Sequence, residues 1–198
     1  MISSKYDWQF ATNFTDEKFL KKAKKAGLEP AAASLLYQRG VQTEEALQEF
    51  LEPSLDQLHD PYDLHDMDRA VERIRAAIEN YEQILIYGDY DADGMTSASI
   101  VKEALEQLGA ECQVYLPNRF TDGYGPNSSV YKYFIENHGI SLIITVDNGV
   151  AGLEAIELAQ SLGVDVIVTD HHSMPEELPN AYAIVHPEHS GADYPFKY

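Results

Sequence analysis

From Ile84 onward the chain carries five short apolar runs: ILIYG at 84–88, CQVYL at 112–116, SLIITV at 141–146, DVIVT at 165–169 and AYAIV at 181–185. Their hydrophobicity is continuous rather than alternating, which marks strands buried on both faces. Between them lie 95–109, 127–138 and 150–162, each of helix length and helix spacing. Strand and helix in alternation predict a doubly wound α/β fold around a mainly parallel five-stranded sheet. An order of 2-1-3-4-5 would make the first, third and fourth strands neighbours. No internal repeat or low-complexity segment points elsewhere.

Ahead of this sheet the pattern is helical. Apolar residues recur at helical spacing in 16–25, 31–39 and 43–51, with Gly27, Gly40 and Pro53 as punctuation. Over 66–80, Met67, Ala70, Val71, Ile74 and Ile78 form one stripe, and Asp66 or Asp68 is placed to cap it. The expected organisation is an N-terminal helical region over 1–80 followed by the α/β domain over 81–198.

At 198 residues and 44% hydrophobic content the chain can bury a real core. It has no apolar run of about 18 residues, and MISSKYDWQF has no apolar stretch behind a basic start. The expectation is therefore a cytoplasmic protein without membrane span or signal peptide. Cys112 is the sole cysteine, which excludes a disulfide framework or a thiolate zinc cage, and its apolar setting predicts a buried, inert thiol. The formal net charge is −19, from 14 basic and 33 acidic residues. So acidic a chain cannot hold nucleic acid by phosphate neutralisation alone. Four basic residues cluster at Lys21, Lys22, Lys24 and Lys25. That cluster reads as a solvated helix face, with contact to a polyanion as the alternative.

Three acid-rich junctions follow the apolar runs. In Gly88-Asp89-Tyr90-Asp91-Ala92-Asp93-Gly94, acids occupy every second position after the first strand. Like charges so close repel, and a divalent cation would neutralise them; a plain surface turn is the competing reading. Thr145-Val146-Asp147-Asn148-Gly149 ends the third strand, where Asp147 is either a ligand or a helix N-cap. Thr169-Asp170-His171-His172 ends the fourth and adds two imidazoles, which suit metal ligation and phosphate contact. In a parallel sheet of that order, Asp91, Asp93, Asp147 and His171 would meet in one crevice at the carboxyl ends of the strands. Carboxylates and imidazoles without thiolate favour Mn²⁺, Mg²⁺, Fe²⁺ or Zn²⁺, and there are acids enough for two ions sharing one carboxylate. Phosphoester hydrolysis is the reaction class this chemistry suggests.

In order along the chain, DYDADG at 89–94, VDNG at 146–149 and DHH at 170–172 resemble the signature of the DHH phosphoesterase family. FLEPSLDQLHDP at 50–61, MDRAVERI at 67–74 and NRFTDGYGPN at 118–127 further resemble its RecJ-type members, single-strand-specific 5′→3′ exonucleases of DNA repair and recombination. That resemblance implies two Mn²⁺ ions, with Mg²⁺ as a substitute, and single-stranded DNA as the partner. It implies that Asp91 binds one ion, that Asp93 and His171 bind the other, and that Asp147 bridges them. His172 would face the scissile phosphate, and Arg119 would hold a substrate phosphate. Asp89 is a weaker ligand candidate, while Asp170 and Asn148 would orient the ligands from behind. Tyr87 stands where family II pyrophosphatases, distant members of the superfamily, carry a histidine. The resemblance also implies one more metal-ligating aspartate, a second domain and an OB-like module beyond Tyr198, so that the 198-residue chain alone is expected to be impaired. Two other functions compete: a short-oligonucleotide or cyclic-dinucleotide phosphodiesterase, and a non-catalytic interaction module with a vestigial site.

Overall fold

The computed structural model describes residues 16–191 and 194–195. The start of the chain, read above for a leader, lies outside them. Contacts divide the chain into two compact units, Met1–Leu58 and His59–Tyr198. In the first, α1 (Glu17–Lys25), α2 (Pro30–Gln38) and α3 (Glu44–Leu51) enclose Phe19, Ala23, Ala33 and Leu47. The helix starts follow from local chemistry: the Asp16 and Thr43 side chains accept backbone N–H groups, and Pro30 opens α2, where a missing N–H costs nothing. Lys21, Lys22, Lys24 and Lys25 are exposed on α1, with Lys22 paired to Glu44 at 2.6 Å, as a solvated helix face requires.

The second unit holds α4 (Met67–Glu79), β1 (Gln83–Tyr87), α5 (Ala92–Gln107), β2 (Cys112–Tyr115), α6 (Ser128–His138), β3 (Ile140–Val146), α7 (Leu153–Ser161), β4 (Asp165–Thr169) and β5 (Ala183–Val185). Its five strands are all parallel and run in the order β2-β1-β3-β4-β5, the predicted topology. Strand residues alternate between two cores. Leu85, Tyr87, Ile143, Val166 and Val168 pack with α6 and α7, whereas Ile84, Ile86, Leu142, Ile144 and Ile167 pack with α4 and α5. Continuous hydrophobicity is thus required, because both faces of the sheet are covered. The α4 helix buries Ala70 and Ala77 against this sheet, and so belongs with the α/β unit rather than with the helices before it.

Two local expectations are corrected. Asp66 takes the cap position of α4 in a left-handed conformation (φ 57°), and its side chain does not cap the helix. It accepts instead from Arg69 and from the backbone N–H of Ile184, tying α4 to β5. Cys112 is only half-buried, because β2 is an edge strand, although burial still pushes its thiol pKa up. No helix among the described residues is long and apolar enough to cross a membrane.

One polar clamp holds α4 to the strands. The Arg73 guanidinium bonds both carboxylate oxygens of Glu82, at 3.2 and 2.7 Å, and reaches Asp165 at 2.6 Å. Arg73 holds the Glu82 carboxyl below its usual range, against the opposing effect of burial. A depressed carboxylate pKa stabilises the fold above the unfolded value of about 4.3, and that contribution is lost as pH falls through the folded value. Arg73→Met is therefore expected to cost about 2 kcal/mol at pH 7. The gap to the parent protein should narrow at pH 3, and urea melts at both pH values would check this.

Candidate metal centre

The parallel register places the ends of β1, β3 and β4 side by side, with Tyr87 beside Thr145 and Val146 beside Thr169. Each chain then turns out of the sheet carrying acids: Asp89 and Asp91 after β1, Asp147 after β3, and Asp170 with His171 and His172 after β4. Two groups of ligand atoms result. One atom each from Asp89, Asp91 and Asp147 lies within 4.8 Å of the others, and the same holds for Asp147, His171 and His172. Asp147 is the member common to both.

Asp147 is held in an uncommon state. Its backbone is left-handed (φ 62°), a conformation a non-glycine residue keeps only when its surroundings impose it. It does not cap a helix, since α7 begins only at Leu153, so the N-cap reading fails. Its Oδ1 lies 2.9 Å from His171 Nε2, while its Oδ2 is buried and has no hydrogen-bond partner among the described residues. Burial raises its pKa, opposed by the His171 bond and reinforced by the charge of Asp91. A buried oxygen without a partner costs about 1–3 kcal/mol, which a cation would recover. The donor set and this orphaned oxygen together fit a hard or borderline divalent ion.

Asp91 does two jobs. Its Oδ1 caps α5 by accepting from the Gly94 N–H, the foremost cause of its lowered pKa, and it also belongs to the first ligand group. Asp170 is buried and accepts from the backbone N–H groups of Val150, His171 and His172 and from His172 Nδ1 at 2.8 Å. Burial pushes its carboxyl up, but these four donors overcome it and hold it below the usual range. An ionised Asp170 can only accept, so His172 carries its hydrogen on Nδ1 and keeps Nε2 free for another group. Burial lowers the pKa of His172, and the bond and charge of Asp170 more than reverse this. Asn148 is also buried; its Nδ2 bonds the carbonyls of Val146 at 2.9 Å and Tyr87 at 3.3 Å, stapling β3 to β1.

The remaining sequence candidates fall less centrally. Asp93 lies two residues beyond Asp91, in the first turn of α5, and is outside both ligand groups, although it shares a cleft of about 360 Å³ with Asp147 and His171. Asp89, read as the weaker ligand, is inside one group and is only 2% exposed. Tyr87 turns away from the site into the core and donates to the Gly125 carbonyl at 3.0 Å. Arg119 is exposed, and its guanidinium stacks over the Tyr90 ring at 5.4 Å.

Two residues near the site escaped the sequence reading. His186 is fully buried; it accepts from the Glu188 N–H through Nδ1, which leaves Nε2 to donate to the His172 carbonyl at 2.7 Å and so to buttress the second histidine. Tyr124 contacts the His172 ring edge-on at 5.7 Å and Tyr90 at 6.5 Å. Burial, followed by the charges of Asp170, Asp89 and Asp147, pushes its phenol up to about 12. Its signal was legible in principle: an aromatic side chain between Gly123 and Gly125, both with positive φ, is one presented by a turn.

Comparison with known proteins places this geometry in a family. The sequence matches the DHH family, N-terminal domain, over residues 83–193. It is 43% identical over 197 residues to the single-stranded-DNA-specific exonuclease RecJ of Bacillus subtilis, a match covering 100% of this chain and 25% of that protein. The corresponding figures for RecJ of Escherichia coli are 38% over 174 residues, 87% of this chain and 29% of that one. The chain thus spans about a quarter of the length of these relatives. A crystal structure of exonuclease RecJ bound to manganese superposes with a TM-score of 0.62 at 30% identity, over 68% of this chain and 34% of that chain. Thermus thermophilus RecJ in complex with Mn²⁺ gives 0.64 at 27% identity, over 92% and 25%. With sheet order, strand-end acids and matched sequence in agreement over more than half its length, this chain belongs to the DHH family.

Proposed function

We propose that this chain carries the metal-binding part of a 5′→3′ exonuclease acting on single-stranded DNA in repair and recombination, with two Mn²⁺ ions, or Mg²⁺ in their place. The observation that carries the reading is the presence of Asp147 in both ligand groups, with one oxygen engaged by His171 and the other buried without a partner. Asp147 would bridge, Asp89 and Asp91 would serve one ion, and His171, with Asp93 across the shared cleft, would serve the other. Bound divalent ions would supply a water of lowered pKa and neutralise charge on the phosphate under attack. The chain's own residues supply the rest. Asp170 orients His172 so that Nε2 can hold a phosphate oxygen or pass a proton to it. Asp170 and Asn148 keep the turns after β4 and β3 in place behind the ligands.

Three things support this substrate: the curated relatives are named as single-stranded-DNA-specific exonucleases, solved structures of such proteins hold manganese, and the resemblance extends to residues 50–61 and 118–127. Release of mononucleotides from a single strand but not from a duplex, in Mn²⁺, is the expected result for a full-length protein that carries this chain. Preferential hydrolysis of dinucleotides would overturn the assignment. Arg119 bears on the substrate rather than the metal, because its planar fork suits a phosphate and its stacking on Tyr90 keeps it beside the site. Arg119→Ala is expected to weaken binding of a single-stranded oligonucleotide about tenfold while sparing metal affinity. Loss of metal binding in that variant would contradict this role.

A further inference from the structure

A second cleft, of about 490 Å³, opens on the other side of the DHH turn. Tyr124, Pro126, Val150 and Ala151 supply its apolar lining, and His172 and Asp170 line it too. Tyr124 is 54% exposed, too open for a core residue, and its ring meets His172 edge-on. From there ring contacts continue to Tyr90 and to the guanidinium of Arg119, so that one line of flat groups leads from solvent to the candidate metal centre. A chain of formal charge −19 has little capacity to grip a polyanion by charge, and flat apolar surfaces recognise nucleobases without needing any.

We infer that this cleft takes the base of a nucleotide joined to the phosphate at the metal centre, with Tyr124 as its stacking surface. The inference rests on the nuclease reading and adds a selectivity device to it. A base paired in a duplex is stacked on its neighbours and cannot enter the cleft, whereas a single strand turns its base in at little cost. Selection for unpaired DNA then begins at Tyr124, within this unit.

The test uses a 5′-phosphorylated oligothymidylate of about ten nucleotides. It carries 2-aminopurine at the first or the second position, and Ca²⁺ is supplied so that binding is read without turnover. Emission at one of the two positions should change on binding to the parent protein and to Tyr124→Phe, but not to Tyr124→Ala. Tyr124→Ala should bind the normal oligonucleotide about tenfold more weakly, from the usual worth of one base–aromatic stack. An abasic residue at the responsive position should erase that difference, and it should weaken binding to the parent protein equally, a readout that needs no mutant to fold. Unchanged emission and affinity in Tyr124→Ala, with the parent binding the strand normally, would overturn the stacking role and leave the nuclease reading standing. Absence of binding by the parent protein would overturn both.

Discussion

Asp147→Ala is expected to abolish divalent-metal binding, lowering manganese affinity by more than about 100-fold, a larger loss than removal of an outer supporting residue gives. The reason lies in its position. Asp89 and Asp91 serve one group and His171 and His172 the other, whereas Asp147 contributes to both. Asp91→Ala and His171→Ala should each leave partial binding. The metal-free protein should respond in the opposite sense. Burial raises the Asp147 pKa, so its ionised form destabilises the metal-free fold at neutral pH, and stability returns as pH falls toward the raised value. Asp147→Asn removes that charge yet tolerates the left-handed backbone. It should match or exceed the parent in melting temperature without metal, while losing the stabilisation that manganese gives the parent. Calorimetric titration and thermal melts with and without Mn²⁺ read both effects. Retained manganese affinity in Asp147→Ala would remove the bridging assignment.

Gly94→Ala should destabilise the protein by about 3 kcal/mol and disturb the site as well. Helix propensity alone predicts the opposite, a gain of about 1 kcal/mol for alanine over glycine inside a helix. Sterics decide the sign here. Gly94 lies in the first turn of α5, and a Cβ on it would stand 2.4 Å from the Asp89 backbone nitrogen and 2.6 Å from its Cα. Neither is the movable end of a side chain, so backbone must shift. The segment that shifts carries Asp89 and Asp91, and the Gly94 N–H that donates to the Asp91 cap moves with it. A lowered melting temperature with weakened manganese binding is the expected pair of results; an unchanged or raised melting temperature would show that the turn can relax freely.

The two substitutions show where sequence was sufficient. Ile84–Tyr87, Leu142–Val146 and Val166–Val168 are buried at every position, and apolar at all but Thr145, because helices cover both faces of the sheet, and that one constraint made strands and layers readable before any coordinates. Parallel strands in the order 2-1-3-4-5 then bring three junctions to one edge, so the acids and histidines could be grouped from spacing alone. Atomic placement within the junctions was another matter. In DYDADG the acids alternate, so spacing treats all three alike, and it is the family resemblance that ranks Asp91 and Asp93 ahead of Asp89. The chain instead starts α5 at Ala92, which keeps Asp89 buried at the strand end and carries Asp93 out of the ligand groups. Taken alone, the junction at Asp147 could not exclude a helix cap. The hydrogen bond from its N–H to the Thr169 carbonyl and the late start of α7 exclude it, and both are products of packing. Tyr87, a residue of β1, was set aside from the ligands by strand alternation once its face was known. Tyr124, in the turn region after β2, and His186, directly after β5, stand beside the site because the fold brings segments distant in sequence together there. What the sequence determined by itself was everything that depends on burial pattern and strand connectivity. Which oxygen meets which nitrogen depends on contacts between segments far apart in the chain, and only the tertiary structure decided those.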